Sequence, residues 1–310
     1  MKLEGVHHIT AITADAPRNV EFYTGLLGLR MVKRTVNQDD PTVYHLFYGD
    51  EDGSPGMDLT FFEYPGAAPG RAGDGMVHRI LWRVGSHDTL GFWQERLAAA
   101  DVSTRSGEGG LVFADPEGLE HELVLSDAPD PPLRADSPEI PAEHALLGFE
   151  GARAYASDPG RSEAFLEGAL GFEPDGEGRW TVRGPHRGGT WVYDAPPPGA
   201  PVQGAGSVHH IAFASPPDEQ DAWRGRALEA GAHATPVIDR FYFRSVYFRE
   251  PSGVLFEIAT IGPGFAVDED EAHLGERLSL PPKFEPLREQ LQDTLTPLSY
   301  PPAWRLAARA

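Results

Sequence analysis

The sequence predicts an α+β protein made of four βαβββ modules, which pair into two cupped, mixed β-sheet barrels around interior cavities. Two observations carry this. A strand-like phrase recurs along the chain, as Gly5-Val-His-His-Ile-Thr-Ala-Ile, Met76-Val-His-Arg-Ile-Leu-Trp-Arg and Ser207-Val-His-His-Ile-Ala-Phe-Ala. Each copy is followed at once by a helical stretch and then by short β-branched or aromatic runs between Gly, Asp and Pro turns.

In module one (4–66) the phrase is the first strand, Ala16 to Leu27 the helix, and Met31 to Val36, Val43 to Tyr48 and Met57 to Glu63 the later strands. Module two (75–126) has its helix at Asp88 to Ala99. A degenerate module three (146–195) has Gly151-Ala-Arg-Ala-Tyr-Ala as its strand and Arg161 to Leu170 as its helix. Module four (206–262) has its helix at Glu219 to Ala230. The proline-rich stretch after Ser126 reads as a linker. The sequence domains are therefore 1–126, a linker at 127–145, 146–262, and a tail at 263–310, which wraps the second half and carries one short helix near Glu285 to Gln292.

Composition narrows the function classes. Forty-seven acidic against 26 basic residues leave a net charge of −21, which repels phosphate backbones and anionic lipid and argues against nucleic-acid or membrane partners. With no cysteine there is neither a disulfide framework nor a thiolate site. The start MKLEGVHHIT lacks a basic and then apolar signal, and no long apolar run occurs, so a cytoplasmic protein is expected. It is free to assemble as a homo-oligomer.

The His-His pairs carry the chemistry. Strand alternation lets one histidine of each pair face the cavity. His8 shares its face with Thr10, and His210 with Ala212 and Ala214, whereas His7 and His209 sit with the bulky Ile9, Ile211 and Phe213. The small, polar face should line the cavity, so His8 and His210 point in. Glu257 stands in an otherwise apolar strand four residues after Gly253, as Glu122 stands four after Gly118; a carboxylate there needs a partner. In module one the same position is Thr60, and the nearby Glu63 has the opposite parity. Two histidines and one carboxylate with open positions suit non-haem Fe(II). In module two Arg79 replaces the imidazole, so an Arg79–Glu122 ion pair is expected in place of a metal. The run Asp239-Arg-Phe-Tyr-Phe-Arg-Ser-Val-Tyr-Phe-Arg-Glu-Pro supplies Arg and phenol groups suited to an aromatic anion.

With Thr24-Gly-Leu-Leu-Gly-Leu, Val36-Asn, Leu59-Thr-Phe-Phe, Leu255-Phe-Glu-Ile-Ala-Thr, Gly264-Phe-Ala-Val-Asp and Leu278-Ser-Leu-Pro-Pro, these segments make the whole chain resemble the vicinal oxygen chelate superfamily. Within it the chain is most similar to ring-cleaving hydroquinone dioxygenases. The resemblance implies Fe(II), with Mn(II) as an alternative, bound by His8, His210 and Glu257. It implies a hydroquinone or catechol-like substrate with O2. Arg240 and Tyr247 become catalytic groups, Tyr247 as an acid for O–O cleavage and Arg240 for oxyanion charge. His7, Thr10 and His209 are placed beside the substrate or behind the ligands, against the parity that turns the two histidines outward. The competing reading is a glyoxalase-like isomerase, which needs a fourth ligand that only a bulge could supply from Glu63.

Overall fold

The computed structural model describes residues 1–302 and Arg305. Module one comprises β1 (Val6–Thr13), α1 (Ala16–Val20), β2 (Arg30–Val36), β3 (Tyr44–Gly49) and β4 (Asp58–Glu63). Module two follows with β5 (Val77–Val84), α2 (His87–Ala99), β6 (Arg105–Ser106), β7 (Gly110–Ala114) and β8 (Glu120–Leu125). Module three has β9 (Phe149–Tyr155), α3 (Gly160–Ala164), β10 (Glu173–Pro174), β11 (Arg179–Arg183) and β12 (Gly188–Asp194). Module four has β13 (Val208–Ser215), α4 (Gln220–Glu229), β14 (Ile238–Asp239), β15 (Arg244–Arg249) and β16 (Leu255–Thr260), and the tail carries α5 (Arg288–Thr294).

Helices of modules one and three are shorter than their apolar pattern suggests. Both α1 and α3 open into a π-turn, at Glu21–Leu26 and Phe165–Ala169, closed by Leu27 N–H to Phe22 O and Leu170 N–H to Phe165 O. Each wide turn contains a glycine, Gly25 or Gly168, which weakens the ordinary α-helical spacing. Gly28 and Gly171 then end the helices with φ of +71° and +72°.

Hydrogen bonding cuts across the two sequence halves. One sheet runs β14-β15-β16-β13-β1-β4-β3-β2, joining modules four and one; the other runs β10-β11-β12-β9-β5-β8-β7-β6, joining three and two. At the centre of the first, β1 and β13 are antiparallel about the pair Ile9↔Ile211, flanked by His8↔Ala212 and Thr10↔His210. This local two-fold makes His8 and His210 equivalent. The ladder is interrupted once on each side, where His7 and His209 are the extra residues of β-bulges. The β5–β9 ladder is interrupted in the same way at His78 and Glu150.

The linker is firmly held. The Asp130 side chain is buried and accepts from Arg83 and Arg183, both at 2.6 Å, and although burial opposes it the Arg183 and Arg83 guanidinium groups hold its carboxyl at about 2. Instead of wrapping only the second half, the tail lies along β2 of module one. Ser279 N–H donates to Arg34 O, Leu278 bridges Arg34, and Tyr300 Oη accepts from Met31 N–H. This covers an edge strand that would otherwise offer unpaired backbone groups. Lys33, with no exposed side-chain surface, fixes the turn after β16: its Nζ donates to Phe265 O at 3.0 Å, to Asp268 Oδ1 at 2.8 Å and to the Glu269 carboxylate. Among the described residues no helix is long and apolar enough to cross a membrane.

Candidate metal centre

Gly56, Gly118 and Gly253 adopt φ of +108°, +93° and +106° in the turns that lead into β4, β8 and β16. These shared left-handed turns set one register for the following strands. Four residues on, Glu257 pairs with Ala212 on β13, and Thr60 pairs with Thr10 on β1. Glu257 thereby reaches the space between His8 and His210. The His8 and His210 Nε2 atoms are 3.3 Å apart, and Glu257 Oε2 is 3.2 Å and 3.0 Å from them. All three side chains are buried, and among the described residues they form the only such cluster able to hold a metal ion.

Donor chemistry shows what that cluster lacks. His7 Nε2 lies 3.2 Å from Thr260 O, an acceptor, so it carries the hydrogen. Burial, with the neighbouring His8, pushes His7 down to about 3, so the ring is neutral and its Nδ1 is a bare acceptor. His8 Nδ1, 2.9 Å away, must donate to it, which leaves the His8 Nε2 lone pair facing Glu257. His209 and His210 repeat the Nδ1–Nδ1 contact at 2.8 Å, and burial first, then His210, lowers His209 to about 4. Glu257 Oε1 accepts from Ser245 Oγ, whereas Oε2, though within 3.2 Å of both imidazoles, has no well-formed hydrogen bond. The His8 lone pair, the His210 Nε2 and a carboxylate oxygen without a well-formed hydrogen bond, all converging on one point, fit a divalent cation.

The site residues expected from the sequence fall into three groups. His8, His210 and Glu257 meet, as described. Tyr247 on β15 is the ladder partner of Glu257. Burial, then the Glu257 charge, raises its phenol far above the ordinary value, and Arg240 Nε donates to its oxygen at 3.2 Å. Arg240 stands in a tight turn in which Phe241 has φ +71°, supported by Asp239 Oδ1 accepting the Phe241 N–H. His7, Thr10 and His209 differ from one another. His7 lies behind His8, Thr10 is buried against Thr60, and His209 lines the cavity mouth. The outward orientation that strand parity gives His7 and His209 is overturned because each is the bulged residue and is re-aimed beside its neighbour.

Two groups escaped the sequence reading. Asp39 accepts both terminal nitrogens of Arg240 at 2.9 Å, tying the loop after β2 to module four. His45 lines the same cavity, which measures about 340 Å³. Alternation along β3 could have exposed His45, since Tyr44, Leu46 and Tyr48 occupy the opposite, core-facing side. Glu63 takes no part in the triad. The β1–β4 register runs unbroken to Thr13↔Glu63, and its Oε1 accepts the Ala16 N–H at the start of α1.

The paired cavity of modules two and three is filled by charge. Arg79 bonds Glu122 at 2.9 Å and Glu120 at 2.8 Å, and Arg153 bonds Asp194 and Glu108. Arg79→Met should cost about 3 kcal/mol by leaving Glu122 underpaired. Metal content per folded molecule should be unchanged; a well-folded Arg79→Met that had lost its metal would contradict a purely structural role.

The glyoxalase/bleomycin resistance protein/dioxygenase superfamily model matches residues 5–123 and 146–258, and the chain belongs to that superfamily. It is 39% identical over 305 residues to MhqE of Bacillus subtilis (strain 168), a protein provisionally named a ring-cleaving dioxygenase, with 96% of this chain and all of the relative covered. The chlorohydroquinone/hydroquinone 1,2-dioxygenase of Sphingobium indicum is 32% identical over 315 residues, covering 95% of this chain and 96% of the relative. A crystal structure of a provisionally named dioxygenase from B. subtilis superposes with a TM-score of 0.89 at 39% identity, covering 96% of this chain and 98% of the other.

Proposed function

We propose that this protein is an Fe(II)-dependent ring-cleaving dioxygenase that inserts O2 into a hydroquinone or a closely related dihydroxylated aromatic, in the cytoplasm. The observation that carries the reading is the His8–His210–Glu257 set, with lone pairs facing one another, at the floor of a cavity walled by Phe47, Phe62, Phe243 and Leu255. Three protein ligands leave positions for both substrate and oxygen. With Glu63 engaged at α1, the four-ligand isomerase lacks its last ligand. The names of the relatives support the substrate class.

Bound iron would bring the substrate's phenolate oxygen and O2 together and pass electrons between them. The rest falls to the chain. His7, by accepting the His8 Nδ1–H, orients that ring and keeps its Nε2 bare, and His209, in contact with His210 Nδ1, braces the second ligand ring. Tyr247 keeps its proton at every ordinary pH, and since Arg240 donates to its oxygen, its own hydrogen remains available for a developing oxyanion. Asp39 holds the guanidinium in the plane this requires. The phenyl walls exclude water, which strengthens each of these interactions.

Tyr247→Phe should retain iron and substrate affinity while slowing the oxygen-dependent step about a hundredfold. Anaerobic binding followed by a stopped-flow oxygen pulse measures both, and an unchanged rate would reduce Tyr247 to packing. The function is tested by oxygen consumption. Fe(II)-loaded protein should consume one O2 per hydroquinone with loss of the aromatic absorbance, whereas isomerisation of a hemithioacetal by a Ni- or Zn-loaded sample would establish the glyoxalase-like alternative.

A further inference from the structure

β3 brings one more polar group into the cavity, and neither the triad nor the Arg240–Tyr247 pair engages it. The ring of His45 lies against Phe47 and Phe62, at centroid distances of 4.0 and 4.4 Å. In the strand order β15-β16-β13-β1-β4-β3, the triad occupies the three strands after β15 and His45 stands two strands beyond β1. His45 and Tyr247 thus belong to opposite walls, with the triad between them. Neighbouring strands are about 4.8 Å apart, so β3 lies about 10 Å from β1, enough to admit an aromatic ring.

The hydrogen bonds fix which nitrogen of His45 is bare. Thr60 Oγ1 donates to Thr10 Oγ1 at 2.8 Å, so towards His45 it acts as acceptor. His45 Nε2, 2.9 Å from Thr60 Oγ1, therefore carries the ring hydrogen. Burial, helped by His8 and His210, depresses this imidazole well below its ordinary range, so it is neutral and Nδ1 is a lone-pair acceptor. Among the described residues no group donates to that nitrogen. The flanking phenyl rings offer nothing else to a hydroxyl placed beside them, and a hydroxyl desolvated without an acceptor is costly.

We infer that, given the ring-cleaving reading above, His45 is a specificity-determining residue that accepts a hydrogen bond from the second hydroxyl of a para-dihydroxylated ring whose first oxygen is held at the triad. A para hydroxyl lies across the ring from the triad and faces the β3 wall. An ortho hydroxyl lies beside the first oxygen and cannot reach that wall. Thr60 occupies on β4 the position that Glu257 occupies on β16, so the residue that module one has in place of a fourth ligand now orients the substrate-reading histidine.

The test is anaerobic equilibrium binding of hydroquinone, catechol and phenol to the Fe(II)-loaded chain. Wild type should bind hydroquinone about tenfold or more tightly than phenol, the worth of one such hydrogen bond. His45→Leu should erase that preference while iron content and phenol affinity stay unchanged. His45→Gln, which restores an acceptor, should recover part of it. Catechol affinity should be indifferent to both substitutions. Equal losses for hydroquinone and phenol, an undiminished hydroquinone preference in His45→Leu, or a catechol loss as large as that for hydroquinone would each overturn the assignment. The ring-cleaving reading fails separately, at the oxygen electrode with wild-type protein, before any His45 variant is made.

Discussion

His8→Ala, His210→Ala and Glu257→Ala should each lose iron by at least about a hundredfold in affinity and lose oxygen uptake with it, while remaining folded. Each change removes one of three converging ligand atoms, and two remaining ligands hold a divalent cation poorly. Loss of an outer-shell partner costs about ten- to a hundredfold, which sets the lower bound for losing a ligand itself. The apo fold should tolerate each truncation, because the triad is a cluster of acceptors that the strands support from behind. Glu63→Ala is the control. It weakens the cap on α1 by about 1 kcal/mol and should leave metal content alone. Equal metal loss in Glu63→Ala and Glu257→Ala, read by metal analysis of anaerobically purified protein, would restore a four-ligand site.

Lys33→Met should be the most damaging substitution outside the site. The ammonium group is fully buried, satisfied by one carbonyl and two carboxylates, and lies 4.8 Å from the Tyr242 ring centroid. Removing it leaves Asp268 with the Tyr242 hydroxyl and Glu269 with the more distant Arg277 in place of the buried ammonium, a cost of about 3–5 kcal/mol, or roughly 5 to 8 °C in Tm. Phe265, which accepts from Lys33 through its carbonyl, packs against Phe47 and Tyr242, so loosening the tail reaches the substrate pocket. Adding Asp268→Asn and Glu269→Gln should return part of the lost stability, since the unpaired charges and not the missing methylene packing dominate. Thermal unfolding of the single and triple variants measures this; a Lys33→Met as stable as wild type would show the tail to be held by apolar contacts alone.

Much of the fold is legible because the βαβββ unit recurs, and a position read in one module can be checked in another. The glycine four residues before Glu122 and Glu257 is such a case: the same left-handed turn fixes the same register. His8, His210 and Glu257 are legible for a related reason, since small and polar neighbours mark the cavity face of β1 and β13. His7 and His209 are not. A bulge inserts one residue without any compositional mark, and it reverses the orientation that alternation assigns. Asp39 lies in a loop whose partner, Arg240, is 201 residues away, and no local pattern announces a contact of that span. The tail's course along β2 has the same origin, because Lys33 looks like an exposed strand lysine until the chain returns with Asp268 and Glu269.

In the proposed function His8, His210 and Glu257 form an iron site for ring cleavage by O2. Mass spectrometry of the product made from hydroquinone under 18O2 by the Fe(II)-loaded chain tests it most directly. A ring-opened product carrying both labelled atoms, made by wild type and absent with Glu257→Ala, is the predicted result. An intact ring, or label-free product made equally well by both proteins, would contradict it.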